Sequence, residues 1–254
     1  MWMPDLLPEG VSSLGLMLLL FTTFVAGVVY GFAGFGAALI FLPVAARIVP
    51  LEVAIAVFNI SAVASVFTVV PQAWGKVDRP ALALQIGLAC LAAVAGIWVL
   101  KTADVTWLRW TVIAVIGVTL LALVSGWRYQ ARPGRATRGA VGLGAGFLGG
   151  ATGLLGPVVV IFQLAGQDGA EKNRATTLVF LTVTSILLLP LMALQGVITW
   201  AVVPLGLILL LPYGLGSWIG RLMFRPGNER AYRVTAYVLV AVAMVLGLPL
   251  FDAV

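Results

Sequence analysis

The chain has 254 residues, 62% of them hydrophobic and 9% charged, with a mean hydropathy of +1.12 and a formal net charge of +6. A soluble domain carries about a quarter charged residues. So few charges cannot cover a water-facing surface, and lipid is the natural solvent. There is no histidine, and Cys90 is the only cysteine. Histidine-based zinc sites, a Ser-His-Asp triad, a histidine proton relay, an intrachain disulfide and a cysteine metal cluster are therefore not expected. No catalytic residue, metal or cofactor is assigned, and Cys90, inside an apolar run, reads as a packed small hydrophobe.

The chain opens on an acidic segment, residues 1–10, with Asp5 and Glu9 and no Lys or Arg. It lacks the basic leader of a secretory signal, so the following apolar run is expected to be retained. That run, 11–49, exceeds the roughly 20 residues that span a bilayer as a helix. It divides at Gly31-Phe32-Ala33-Gly34-Phe35-Gly36 into a long arm and a shorter arm, 37–49. Spanning helices are predicted over about 53–70, 80–100 and 106–124, followed by a basic linker, 128–138, with Arg128, Arg132, Arg135 and Arg138. A Gly-rich block, 139–166, divides at Gly150-Ala151-Thr152-Gly153-Leu154-Leu155-Gly156-Pro157, and helices are predicted over 175–194, 200–222 and 231–248. The apolar runs are continuous rather than alternating, which favours helices over barrel strands. The expected fold is an all-α polytopic membrane protein with two repeats, 1–127 and 139–254, each a Gly-broken hairpin plus three transmembrane helices.

The halves register by hand. Gly31 and Gly34 fall on Gly150 and Gly153; after a shift of two, Ala54 falls on Ala175, Gly75 on Gly196 and Arg109 on Arg230. Loop charge sets the parity. Lys76/Arg79, Arg128–Arg138, Lys172/Arg174 and Arg221–Arg233 hold nearly all the basic residues, leaving Arg47, Lys101 and Arg109 for the other side. Cytoplasmic placement of the rich loops puts both termini outside, and each Gly-rich block must then cross an even number of times. The second repeat is thereby inverted relative to the first, an arrangement shared by many secondary transporters. The net positive charge is explained by these loops and calls for no nucleic acid.

A half-helix that starts inside the membrane presents unpaired N–H groups and a partial positive charge, and can hold an anion without a buried Lys or Arg. Gly34, Gly36 and Ala37, with Gly31 and Phe35, would open one such helix; Gly150, Gly153, Gly156 and Pro157 would open the other. Pro157 suits a first helical turn, where its missing N–H costs nothing. Thr152 could add a hydroxyl, and Asn59 and Gln163 are amides expected to turn inward. The same glycines could instead only allow close helix packing. Ser61, Ser65, Thr176, Thr177, Thr182, Thr184, Ser185 and Gln85 are weaker candidates, because many membrane hydroxyls bond their own helix. No Asp or Glu lies in mid-span, so a carboxylate proton relay is not evident. Lys172, Asn173 and Arg174 read as a cytoplasmic helix start that could attract anions to the inner mouth. Trp74, Trp107, Trp110, Trp127 and Trp200 fit an interfacial aromatic belt.

The run Gly31-Phe-Ala-Gly-Phe-Gly-Ala-Ala-Leu-Ile-Phe-Leu-Pro43 with Glu52-Val-Ala-Ile-Ala56 resembles the first repeat of the sulfite exporter TauE/SafE family. The stretch from Gly146 through Gly156-Pro157 to Lys172-Asn-Arg-Ala-Thr176 resembles its second. The likeness covers nearly the whole chain. It implies a bacterial inner-membrane permease for sulfur-containing anions such as sulfite or organosulfonates. Members often carry three consecutive glycines where this chain has Gly36-Ala37-Ala38 and Gly156-Pro157-Val158, so its methyl groups point to a changed substrate shape. The expected activity is export of a small anion, with both termini periplasmic. The expected partners are that anion and the bilayer, with a homodimer left open. The rivals are uptake or ion-coupled symport of another small organic anion, and a non-transporting membrane scaffold or assembly factor.

Overall fold

The computed structural model describes residues 11–125, 134–165, 169–198, 200, 202–224 and 229–248. Asp5, Glu9, Arg128, Arg132 and Trp127 lie outside the described residues. Within them every regular element is helical: α1 (Ser13–Ala33), α2 (Ala37–Ala45), α3 (Leu51–Ala62), α4 (Ser65–Thr68), α5 (Val70–Ala73), a 3-10 turn (Trp74–Lys76), α6 (Arg79–Thr102), α7 (Val105–Val124), α8 (Arg135–Thr152), α9 (Gly156–Ala165), α10 (Ala170–Leu194), α11 (Val202–Met223) and α12 (Glu229–Leu246). Among the described residues, six stretches are long and apolar enough to cross a bilayer: Ser13–Ala33, Leu51–Thr68, Arg79–Thr102, Val105–Val124, Glu171–Leu194 and Val202–Met223. The all-helical membrane fold read from the sequence is thus observed.

Local chemistry explains the helix ends. Ser12 caps α1, its Oγ accepting from the Gly15 N–H at 3.0 Å. Asp78 caps α6 ahead of Pro80, and Asp104 caps α7 by accepting from the N–H groups of Thr106 and Trp107 at 2.9 and 3.1 Å. These carboxylates satisfy orphan donors at helix starts, which is why they sit at run ends. The segment expected as one helix over 53–70 runs as three pieces. Pro71 has no N–H to give and its ring opposes the carbonyl four residues back; Val69, two residues earlier, bends to φ −123°. Helix α10 starts at Ala170, so Lys172, Asn173 and Arg174 lie within its first turns.

Two helix pairs form the closest contacts, and both run parallel on small residues. Gly142, Gly146 and Gly150 of α8 pack against the backbone of Gln85, Ala89 and Ala93 of α6; a Cβ on Gly146 would lie 1.9 Å from the Ala89 carbonyl oxygen. Gly27 and Gly31 of α1 interleave with Gly216 and Gly220 of α11, and a Cβ on Gly31 would lie 2.0 Å from the Ser217 carbonyl oxygen. Small residues every fourth position allow backbones in lipid to approach this closely, and the gain is van der Waals packing rather than hydrophobic burial. Exchanging the halves turns one pair into the other: α1 with α11 becomes α8 with α6. The same exchange relates α3–α11 to α10–α6, and α2–α12 to α9–α7, all of which pack together.

The chain directions follow from which residues meet. Lys76 pairs with Glu171, and Arg174 donates to the Gly31 and Phe32 carbonyls. The end of α1 therefore lies on the face where α6 begins. Because α8 runs parallel to α6, it starts on that face and ends on the other. Helices α1 and α8 therefore run in opposite directions. On the far face Arg109 donates to the Ala46 carbonyl at 2.5 Å, Arg47 to the Leu246 carbonyl at 2.9 Å, and Lys101 to the Gln195 carbonyl.

Candidate functional site

Each half contains a long helix that stops on a left-handed glycine and restarts as a short one. α1 ends at Gly34, φ 85°, whose N–H bonds the Tyr30 carbonyl at 2.8 Å; α8 ends at Gly153, φ 76°, whose N–H bonds the Gly149 carbonyl at 2.9 Å. Helices restart at Ala37 and Gly156. The same sequence spacing separates Gly34 from Gly153 and Ala37 from Gly156. The restarted helices have 9 and 10 residues, about 14–15 Å at 1.5 Å per residue, or half the hydrocarbon thickness.

The two restarts face one cavity, with about 430 Å³ of empty volume. Gly36, Ala37, Ala38 and Leu39 line it from the first break; Gly153, Leu155, Gly156 and Pro157 line it from the second. The remaining wall comes from Tyr30, Phe58, Ala62, Leu181, Thr182, Ser185 and Tyr213. Thr182 and Ser185 lie halfway along α10 and Tyr213 halfway along α11, so the cavity is at mid-depth.

Its polarity comes from the backbone and a few hydroxyls. The first intrahelical bond of α2 runs from the Ile40 N–H to the Gly36 carbonyl at 3.1 Å. The N–H groups of Ala37, Ala38 and Leu39 precede it and have no intrahelical acceptor. Gly36 is the N-cap and offers no side-chain acceptor. Each helix start also carries about half a positive charge. Pro157 supplies no N–H in the first turn of α9, so the second opening presents fewer donors than the first. The Tyr30 hydroxyl is 3.0 Å from the Leu178 carbonyl oxygen and 2.8 Å from Thr182 Oγ1. The Tyr30 and Tyr213 rings lie 6.0 Å apart, and Phe58 meets Tyr213 edge-on at 5.9 Å, giving the cavity an aromatic side.

Of the residues singled out from sequence, Gly36, Ala37, Gly153, Gly156 and Pro157 share this wall. Gly34 forms the cap behind it, and the buried Phe35 sits in the break without lining the cavity. Gly31 and Gly150 serve the helix crossings: their Cβ positions are filled by the backbones of α11 and α6. Thr152 is fully buried, with its Oγ1 donating to the Leu148 carbonyl at 2.7 Å and accepting from the Leu154 N–H at 3.3 Å. Asn59 is buried against Met192, its Nδ2 3.5 Å from Sδ. Gln163 is half-buried on α9, away from the wall. Tyr30, Phe58 and Tyr213 were not read from the sequence as site residues. The visible signal was the placement of Tyr30 directly before the Gly31 break; Phe58 and Tyr213 gave none, because only the packing of α3 and α11 brings them here.

The model of the family described as sulfite exporter TauE/SafE matches residues 19–246, spanning both glycine breaks and the helices that enclose the cavity. No curated protein and no solved structure matches the chain. With the family's model extending over most of its length, the chain belongs to the sulfite exporter TauE/SafE family.

Proposed function

We propose that this multi-pass membrane protein is a permease for a small sulfur-containing oxyanion, such as sulfite or an organosulfonate, bound in the cavity between the two helix openings. The observation that carries this reading is the convergence of two helix N-termini on one mid-depth cavity without a buried Lys or Arg on its wall. Free N–H groups and the helix dipoles favour an anion there. Thr182, Ser185 and the two tyrosines add hydroxyl contacts, and the Ala37, Ala38 and Pro157 side chains limit the anion's size. The opposite courses of α1 and α8 support an inverted repeat about an axis in the membrane plane, the arrangement around which a central site can be opened from either side. The Lys76–Arg174 face is read as cytoplasmic and the termini as periplasmic in a bacterial inner membrane, by the positive-inside rule. A potential negative inside favours anion exit by about 2.3 kcal/mol per charge per 100 mV. Export then needs no coupled proton.

Both Gly34 and Gly153 hold positive φ, so a side chain at either strains the cap whether or not an anion binds there. Gly156 is the cleaner probe, since its φ is not left-handed and a Cβ there would meet only Leu181 Cδ1, at 4.0 Å. Proteoliposome counterflow is to be measured with sulfite, methanesulfonate and acetate, using wild type and Gly156→Val. The expected result is selective exchange of the sulfur anions, reduced at least tenfold in a variant that melts normally. Wild-type exchange by Gly156→Val would place the site elsewhere. Strict dependence on a proton gradient, with no response to potential, would replace export with symport.

A further inference from the structure

A second cavity lies on the Lys76 face, enclosed by α5, α10 and α11 and the residues that follow them, with about 530 Å³ of empty volume. It shares no wall residue with the central cavity. Its charged residues are Lys76, Arg174, Arg221 and Glu171. Glu171 is engaged with Lys76 at 2.5 Å, both side chains being well exposed. That leaves two guanidinium groups deeper in the chamber, with Glu171 the one carboxylate among its lining residues.

Both guanidiniums are held by neutral groups. Arg174 donates from Nε to the Phe32 carbonyl at 2.8 Å and from Nη2 to the Gly31 carbonyl, and its Cζ stacks 4.2 Å from the centre of the Phe224 ring. Arg221 donates from Nη1 to the Thr68 carbonyl at 2.7 Å, while its buried Nε has no hydrogen-bond partner. A buried donor left unmade is costly. A guanidinium carries five donors in a planar fork that matches the paired oxygens of sulfonate, sulfate or phosphate.

We infer that this chamber is a second anion site, which takes a tetrahedral sulfur or phosphorus oxyanion between Arg174 and Arg221, with Lys76 at its rim. The inference deepens the permease reading by giving the carried anion a station at one mouth. Binding here is measurable without transport, so the two can fail separately.

The test is calorimetric titration of the purified protein in uncharged detergent with sodium sulfate and with sodium methanesulfonate, at constant ionic strength. Wild type, Arg221→Gln, Lys76→Gln and Gly156→Val are compared. Arg221→Gln should weaken one class of sites at least tenfold. Lys76→Gln should weaken the same class about threefold, because its charge is exposed and screened. Gly156→Val should leave that class in place even if it abolishes central binding. Unchanged affinity and stoichiometry in both Arg221→Gln and Lys76→Gln would overturn the inference. If Arg221→Gln does not give monodisperse protein, Arg221→Lys, which keeps the charge and loses the fork, is read with Lys76→Gln by the same criterion. Competition with glycerol phosphate and with short-chain phosphatidylglycerol separates a free anion from a lipid headgroup as the source. Displacement by either upholds the oxyanion site, whereas displacement by neither, with chloride competing instead, overturns it.

Discussion

The two glycine breaks use one backbone device inside two different walls. Both stop a long helix on a left-handed glycine and restart a short one three residues later. Over Gly34 stands Arg174, whose Cγ would be 2.9 Å from an added Cβ and whose guanidinium holds the Gly31 and Phe32 carbonyls. Over Gly153 stand Leu42 and Ile55, whose methyl and methylene carbons would be 2.8 and 2.9 Å from one. Orphan carbonyls at a helix end need donors, and on the first break a charged side chain meets that need. A hydrogen-bonded clasp can exchange partners with water or an anion; close apolar packing has no such substitute. The pair therefore combines matching openings toward the cavity with unequal fastenings behind them, and the exchangeable fastening faces the basic chamber.

The largest test of this contrast is alanine at each capping glycine. Left-handed backbone costs a non-glycine residue about 1–2 kcal/mol. At Gly153 the methyl also overpacks Leu42 and Ile55, for about 1–3 kcal/mol more. At Gly34 the collision is with one side chain, which can swing away if it releases its clasp. Thermal unfolding in detergent should show Gly153→Ala losing clearly more than Gly34→Ala. Equal losses would remove the distinction between the fastenings.

The sequence showed the breaks because glycine clusters stand out within apolar runs, and it showed the separation of the basic residues because loop charge is local. Arg47, Lys101 and Arg109 do lie together, opposite Lys76, Arg174 and Arg221. It did not show the cavity's aromatic side, because Phe58 and Tyr213 look like any other apolar-run aromatics until α3 and α11 pack. It gave Asn59 and Gln163 inward roles on polarity alone. Asn59 is buried without lining the cavity, with Met192 Sδ within reach of its amide. The positive φ values of Gly34 and Gly153 are tertiary facts too: a glycine permits that conformation without announcing it.

A smaller effect is expected from the clasp itself. Arg174→Lys keeps a charge but loses the fork and the stacking on Phe224. One or two hydrogen bonds at about 0.5–1.5 kcal/mol each should leave the amides around Gly34 exchanging with deuterium roughly three- to tenfold faster or more. Those around Gly153 should not change. Ile55→Val is the reciprocal probe, trimming one methyl from the second wall at about 0.5–1.5 kcal/mol. Faster exchange at both breaks in either variant would mean that the hairpins open as one unit.

The smallest effect separates a structural hydroxyl from a binding one. Thr152 precedes Gly153 where Ala33 precedes Gly34, so the second break has a hydroxyl that the first lacks. That hydroxyl donates to the Leu148 carbonyl and accepts from the Leu154 N–H. Both contacts stay within the break, and Thr152 is not on the cavity wall. Thr152→Val preserves the shape and removes both bonds. At 3.3 Å the Leu154 contact is long, so the loss should be about 1 kcal/mol, or some 2–4 °C in melting temperature for a chain of this size. Affinity for sulfite in the central cavity should be unchanged. A tenfold loss of affinity with an unaltered melting temperature would instead put the Thr152 hydroxyl on the anion. The second break would then contribute a side chain to binding where the first contributes only backbone.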